Sequence, residues 1–282
     1  DPPPPPASPC PDMEEGLALT SLARAPLLFP EPQDPCEAPL LHFFRPPTSQ
    51  EERTLLSLDL VVHLAGPHGR TALLRSQGVL QVRAGMRVLL RGPSGCGKST
   101  LLQVLAGVVP GGVCCSGRVV LQCSPGQLAV CPQSPFCFQG SLRANLLYPE
   151  PPLPLTAPSE ELAREAARCG KALEAAGLEK FLQWLPQGPE ELEQDWPGRA
   201  SQGERQRLVL ARLLLRDPPP ALALLDEPSS GLDDPAQQRL FRALHGRCCT
   251  SICAGHGEAL RPLHTHLLTI GPDGRMDMSP IT

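Results

Sequence analysis

The chain has 282 residues, of which 41% are hydrophobic, so it can bury the core of one large α/β domain with a tail or of two average domains. Its 25 basic and 29 acidic residues give a net charge of -4, which argues against a protein that binds nucleic acid through a basic surface. No run of about 18 apolar residues occurs, so no membrane span is predicted. The chain begins with Asp1 and shows no signal-peptide pattern, and we therefore interpret it as an excerpt of a longer protein.

The 12 cysteines are scattered along the chain, and none of them forms a pair of C-x-x-C units at zinc spacing. We expect reduced thiols that serve as small apolar side chains, as in a cytosolic protein.

The composition predicts two regions. Residues 1–53 are predicted to be a disordered linker, because prolines, including the run Pro2 to Pro6, interrupt every helical or strand period there. Residues 54–282 have the composition of a globular domain.

Apolar periodicity within the globular region predicts an alternation of strands and helices. The predicted strands are Leu58 to Leu64, one or two within Ala72 to Val82, Met86 to Arg91, Ala221 to Leu225, Thr250 to Ala254 and Leu267 to Ile270. The predicted helices are Ser99 to Ala106, Glu160 to Leu185 and Arg205 to Leu215.

A glycine-rich segment fits the phosphate-binding pattern G-x-x-x-x-G-K-[ST]. Its residues are Gly92, Pro93, Ser94, Gly95, Cys96, Gly97, Lys98, Ser99 and Thr100. Because the chain has only three lysines, a lysine at the required position is informative. The predicted strand before the segment and the helix after it favour a phosphate loop over a simple glycine turn.

An acidic pair, Asp226 and Glu227, ends the apolar strand Ala221 to Leu225. Beside a phosphate loop, a carboxylate at this place can hold Mg²⁺ through water. The next carboxylate can accept a proton from the water that attacks the γ-phosphate.

Four more segments follow the phosphate loop in chain order, and they are Cys131-Pro-Gln-Ser-Pro-Phe136, Ala200-Ser-Gln-Gly-Glu204, Ser230-Gly-Leu-Asp233 and Gly255-His256. They resemble the Q-loop, signature, D-loop and switch histidine of the nucleotide-binding domain of ATP-binding cassette (ABC) transporters. With the phosphate loop and the acidic pair, the resemblance covers about 55–278.

The resemblance implies an α/β fold of the ABC-type P-loop NTPase, with a mixed sheet, an N-terminal antiparallel β part and a helical subdomain at about 141–197. It implies an ATPase with ATP and Mg²⁺ as ligands. The implied ATP contacts are Gly92 to Thr100 and Gln133, the implied Mg²⁺ ligands are Ser99, Gln133 and Asp226, and the implied catalytic residues are Glu227 and His256. In a head-to-tail dimer, Ser201, Gly203, Glu204 and Asp233 would act on ATP held by the second subunit.

Within the family, Pro132 to Phe136 and Gly140 to Arg143 are similar to subfamily D, the adrenoleukodystrophy-protein type. Gln202 and the proline-rich start are more similar to the lysosomal cobalamin type, whereas Cys96 is similar to the peroxisomal type. The implied function is to power cobalamin export from the lysosome, and the alternative is transport of very-long-chain fatty acyl-CoA at the peroxisome.

The resemblance also implies partners and a location. The implied partners are a second nucleotide-binding domain and a transmembrane domain that this chain lacks, with no nucleic acid. The implied location is the cytosolic face of an organelle membrane, with the lysosome or endoplasmic reticulum ahead of the peroxisome.

Three other functions are compatible with a phosphate loop. A soluble cassette ATPase of the ribosomal or DNA-repair type predicts a second cassette or a coiled coil, and a P-loop kinase lacks the signature and switch histidine. A regulatory cassette that binds ATP without cleaving it stays open, because Ala200 and Gln202 replace the leucine and first glycine of the signature. The segment between Leu55 and Gly85 contains no Phe, Trp or Tyr that could stack on adenine. Neither His63 nor His68 is assigned to that role.

Overall fold

The computed structural model describes residues 40–43, 53–66, 69–185, 193–229, 231–247 and 250–281. The strands of these residues are β1 (Leu40–Phe43), β2 (Thr54–Gly66), β3 (Gly69–Ser76), β4 (Leu80–Arg83), β5 (Arg87–Arg91), β6 (Val113–Leu121), β7 (Leu128–Cys131), β8 (Gly140–Ser141), β9 (Glu193–Gln194), β10 (Leu222–Asp226), β11 (Ser251–Ala254), β12 (His266–Ile270) and β13 (Arg275–Pro280). The α-helices are α1 (Lys98–Leu105), α2 (Leu142–Leu147), α3 (Ser159–Ala175), α4 (Trp196–Arg199), α5 (Gln202–Leu215) and α6 (Asp234–Arg247). Among the described residues, no helix is both long enough and apolar enough to cross a membrane.

The N-terminal part of the main sheet is antiparallel, as the family resemblance implies. The long strand β2 pairs antiparallel with β3, β4 and β6. Leu56, Leu58, Leu60 and Val62 alternate along β2 and are all buried, which is the period-two pattern of a strand with one face on the core. Strand β1 extends this part by pairing parallel with β6. It lies inside the segment predicted to be a linker, and the rest of 1–52 lies outside the described residues.

The second part of the sheet is parallel and carries the site. Its strands lie in the order β7, β10, β11, β5 and β12, and β13 joins it to β3 of the antiparallel part. Every residue of β10 is buried, because α1 covers one face of the sheet while α5 and α6 cover the other. The mixed α/β fold predicted from the sequence is therefore correct.

A separate apolar core lies between Cys137 and Leu215 and is built mostly by helices. Its largest member is Trp196, whose indole nitrogen donates a hydrogen bond to the carbonyl of Gly140 at 3.0 Å. The ring of Phe181 meets Trp196 edge-on, with centroids 5.2 Å apart. This core holds the beginning of α5 in place beside the sheet.

The prediction of one helix over 160–185 is wrong. Helix α3 ends at Ala175, and a 3-10 segment follows at Glu179–Trp184. Gly177 adopts a left-handed φ of 67°, its N–H bonds to the carbonyl of Glu174, and the N–H of Leu178 bonds to the carbonyl of Leu173. This pair of bonds is the Schellman motif, which ends a helix at glycine.

Candidate nucleotide-binding site

The predicted phosphate loop lies between the carboxyl end of β5 and the N-terminus of α1. Gly97, the residue before α1, has a left-handed φ of 99°, and a Cβ there would lie 3.1 Å from the side chain of Leu73. A Cβ on Gly92 would lie 2.7 Å from the sulfur of Cys96 and 2.9 Å from the carbonyl oxygen of Ile270. Both positions therefore require glycine. The first N–H groups of α1 have no partner within the helix and can bind an anion at this loop.

Lys98 is the cation of the loop and is only 8% exposed. Its Nζ donates hydrogen bonds to the carbonyl oxygens of Gly92 and Pro93, each at 3.0 Å. These bonds hold the ammonium group inside the loop that would surround the phosphates. Phosphate oxygens could replace the two carbonyls, because a hydrogen bond between two charged groups is stronger.

Asp226 and Ser99 form a pair of oxygen ligands beside this loop. The hydroxyl of Ser99 donates to the carboxylate of Asp226, which is 6% exposed. Burial raises the pKa of Asp226 and the adjacent Glu227 raises it further, whereas Ser99 and Lys98 oppose the rise. A buried carboxylate with a hydroxyl beside it fits Mg²⁺, which prefers hard oxygen ligands and uses few from the protein. The described ranges contain no cluster of three or more His, Cys, Asp or Glu that could hold a metal by itself.

Glu227 and His256 meet at the ends of neighbouring strands. The register pairs Asp226 of β10 with Ala254 of β11, so the residues after each strand lie side by side. His256 Nε2 lies 3.3 Å from Glu227 Oε1. Glu227 has a φ of 50°, and its N–H is held by the carbonyl of Ala254. A non-glycine residue in this conformation costs about 1 to 3 kcal/mol and is typical of functional positions.

One open cavity of about 290 Å³ brings the predicted segments together. Its lining residues are Ser94, Gly95, Gly97, Lys98, Ser99, Thr100, Gln133, Glu227 and His256. Gln133 is held there through its backbone carbonyl oxygen, which accepts a hydrogen bond from the side-chain amide of Gln206 on α5 at 3.1 Å. The phosphate loop, Gln133, Glu227 and His256 thus line one cavity, and Asp226 is joined to it through the hydrogen bond from Ser99.

The predicted signature lies on another element. Ser201 caps the N-terminus of α5, and its hydroxyl accepts the N–H of Glu204 at 3.4 Å. The carboxylate of Glu204 accepts the N–H of Ser201 at 2.9 Å, which completes a capping box. Ser201, Gly203 and Glu204 are not among the residues that line the cavity of their own chain.

Asp233 caps the next helix. Its carboxylate accepts the N–H of Ala236 at 2.9 Å at the start of α6. Ser230, the first residue of the predicted D-loop, lies outside the described residues, as does His68. His63 lies on β2 opposite Cys114 and does not line the cavity.

Sequence reasoning missed two residues that hold these segments in place. Arg91, just before the phosphate loop, donates to the carboxylate of Glu258 at 2.6 Å and to the carbonyl of Gly257, and so fixes the loop that carries His256. Lys180 forms an ion pair with Glu204 of the signature. The rarity of lysine in this chain was a signal for Lys180, whereas no local pattern singles out Arg91.

Known proteins resemble this chain in both sequence and structure. The family model for ABC transporters matches residues 77–230. The chain is 33% identical over 220 residues to an uncharacterized ABC transporter ATP-binding protein of Synechocystis sp., covering 78% of this chain and 31% of that protein. It is 31% identical over 235 residues to the lysosomal cobalamin transporter of Mus musculus, covering 83% of this chain and 37% of the transporter.

A bacterial Atm1-family ABC exporter solved with ATP bound has a similar fold, with a TM-score of 0.59 and 24% identity. The likeness covers 84% of this chain and 40% of the exporter. The chain thus spans between 31% and 37% of the two relatives that it matches in sequence. It belongs to the ABC transporter family, as an ATP-binding domain.

Proposed function

We propose that this chain binds and hydrolyses ATP and thereby powers an ABC half-transporter. The observation that carries the proposal is the cavity shared by the phosphate loop, Gln133, Glu227 and His256. A loop for phosphates, a carboxylate within reach of them and a histidine beside that carboxylate are the parts that phosphoryl transfer to water needs.

The binding step follows from the loop. The N–H groups at the start of α1 and the ammonium of Lys98 would hold the β- and γ-phosphates. The hydroxyl of Ser99, the carboxylate of Asp226 and the side chain of Gln133 would hold Mg²⁺, which neutralises charge on the phosphates when bound.

The hydrolytic step follows from the acidic pair. Glu227 lines the cavity, and its carboxylate would accept a proton from the attacking water. His256, 3.3 Å from that carboxylate, would orient it and donate a hydrogen bond to the γ-phosphate. The left-handed backbone of Glu227 supports this role, because non-glycine residues in this costly conformation cluster at active sites.

Glu227→Gln tests the proposal. The amide keeps the shape of the side chain and loses its basicity, so turnover is expected to fall about a hundredfold or more while ATP still binds. Glu174→Gln is the matched control, because Glu174 is exposed on α3 far along the chain from the site. Turnover of Glu227→Gln at the parental rate would remove Glu227 from the chemistry.

A second nucleotide-binding domain is part of the proposal. The signature lies on an exposed helix start, outside the cavity of its own chain, and a capped helix N-terminus is suited to phosphate oxygens. Ser201 and Gly203 would therefore contact ATP bound by the opposite copy. Two copies would form two such shared sites related by a two-fold axis.

A transmembrane domain is the proposed second partner. Phe136 and Tyr148 are 58% and 46% exposed, and their rings lie 5.8 Å apart on the surface beside the Q-loop. Arg212 supports this patch by donating to the carbonyl of Phe136 at 2.6 Å. In the full transporter, Phe136→Ala should weaken coupling of ATPase activity to transport, whereas Val79→Ala, at an equally exposed position, should not.

Cobalamin is the proposed cargo and the lysosomal membrane the proposed location, with a very-long-chain fatty acyl-CoA and the peroxisome as the alternative. The support is the 31% identity to the lysosomal cobalamin transporter of Mus musculus, together with Gln202 in the signature. Transport by membranes that carry the full protein, measured with each cargo, distinguishes the two.

The altered signature favours a second candidate function, a regulatory cassette. Gln202 stands where glycine allows the backbone to approach a phosphate, so an ATP-bound dimer could form and cleave ATP very slowly. ATP binding without measurable hydrolysis by the parental chain would support this candidate over the first.

A further inference from the structure

We propose that Lys180 is a positioning residue of the signature: by neutralising Glu204, it lets this loop accept the phosphates of ATP held by a second copy. The inference rests on the proposed function, because it requires that the signature face a nucleotide. It adds a residue outside the signature to the ATP site.

Glu204 presents a charge problem for a phosphate-binding loop. Its carboxylate lies in the first turn of α5, bonded to the N–H of the capping residue Ser201. Burial raises the pKa of Glu204, but hydrogen bonds from Lys180 and Ser201 outweigh that effect and hold it below its usual range. The residue is therefore an anion three positions from the serine that would meet the phosphates, and like charges repel.

Lys180 supplies the opposite charge. Its ammonium forms an ion pair with the carboxylate of Glu204 and lies 5.1 Å from the ring centroid of Phe181. Phe181 is packed against Trp196 in the helical core, so the backbone that carries the neighbouring Lys180 is held in place. The Glu204 side chain is 13% exposed and the Lys180 side chain 60% exposed, which places the cation on the solvent side of the pair. A phosphate that approaches from solvent would meet the positive member first.

The neighbouring arginine does not replace this lysine. Arg207 lies one turn further along α5, and burial lowers its pKa, while both Glu204 and Glu179 raise it. Arg207 thus also interacts with Glu204, but it is partly buried and lies further from the start of the helix. Lys180, whose side chain is 60% exposed, forms its ion pair with the carboxylate of Glu204 itself.

Steady-state ATP hydrolysis by the chain tests the inference at low and at high ionic strength. The variants are Lys180→Ala, Glu204→Gln, the double variant and Ser201→Arg, with Lys171→Ala as the matched control because Lys171 is an exposed lysine on α3. Thermal unfolding of each variant reports a loss of fold separately.

Lys180→Ala is expected to raise the KM for ATP about three- to tenfold at low ionic strength, with less effect on kcat and a smaller change at high ionic strength. In the Glu204→Gln background, where the repelling charge is gone and the cap is kept, the same lysine substitution should change KM less than about twofold. That loss of effect would show that Lys180 acts through the charge of Glu204, because a lysine that acts independently of Glu204 would change KM equally in both backgrounds. Unchanged thermal unfolding of Lys180→Ala would show that the effect on KM is not a loss of fold.

Two results would overturn the inference and leave the proposed function standing. One is a KM for Lys180→Ala equal to that of Lys171→Ala while Ser201→Arg abolishes turnover. The other is an effect of Lys180→Ala on KM that is as large in the Glu204→Gln background as in the parental chain. If Ser201→Arg leaves turnover at the parental level, the signature does not act on a nucleotide, and the shared site fails together with the inference.

Discussion

Replacing Lys98 with alanine removes the cation of the phosphate loop and should weaken ATP binding strongly. The ammonium is 8% exposed and makes two hydrogen bonds at 3.0 Å to loop carbonyls, so it is already placed where phosphate oxygens would lie. Hydrogen bonds to a charged group contribute about 1.5 to 3 kcal/mol, which corresponds to a dissociation constant raised about 10- to 150-fold.

The folded Lys98→Ala variant also lacks the two hydrogen bonds to the loop carbonyls, so we expect its free energy of unfolding to fall by about 1 to 2 kcal/mol. Calorimetric titration with ATP, at a temperature where both proteins are folded, separates the two effects. Lys171→Ala is the control for removal of one positive charge. A folded Lys98→Ala variant whose dissociation constant changes less than about threefold would remove Lys98 from the site.

Three further predictions concern the signature, the cysteines and pH. Gln202→Gly should raise the rate of ATP hydrolysis, because loss of the side chain allows the backbone closer to a phosphate; an unchanged rate would show that Gln202 is no obstacle. Thiol titration of the denatured, unreduced chain should count close to all 12 cysteines, because none of the eight in the described residues is joined in a disulfide, and several protected pairs would contradict this. Burial and the charge of Arg87 lower the pKa of His245 from 6.5 to about 4. Between these two values the unfolded chain binds a proton that the folded chain does not, so the free energy of unfolding should fall as pH drops from about 6.5 toward 4. The variant His245→Leu should show a weaker dependence on pH over this range.

Local patterns predicted the parts of the site that are local in sequence. The phosphate loop is one continuous segment between β5 and α1, and its glycines are required by contacts that the pattern anticipates. Glu227 and His256 could each be named from the sequence, but not their contact. The 3.3 Å approach depends on β10 and β11 being neighbours in register, and strand order is a long-range property.

Tertiary contacts explain what the sequence did not predict. Residues 113–121 contain Cys114, Cys115 and Gly117 and lack a clear strand period, yet they form β6 because they pair with β2 over nine positions. The prediction of one helix over 160–185 did not account for the left-handed turn at Gly177. The segment after that turn carries Lys180. Its ion pair with Glu204 joins two elements that no motif connects.

The most direct test of a shared ATP site is to mix two chains that are each inactive. Lys98→Ala destroys the phosphate loop and leaves the signature intact, whereas Ser201→Arg destroys the signature and leaves the loop intact. In an equal mixture about half of the dimers contain one chain of each kind, and each of these has one complete site, so ATP hydrolysis should recover to about a quarter of the parental rate. A mixture no faster than the sum of the separate variants, in an assay where the parental chain turns over, would contradict the shared site.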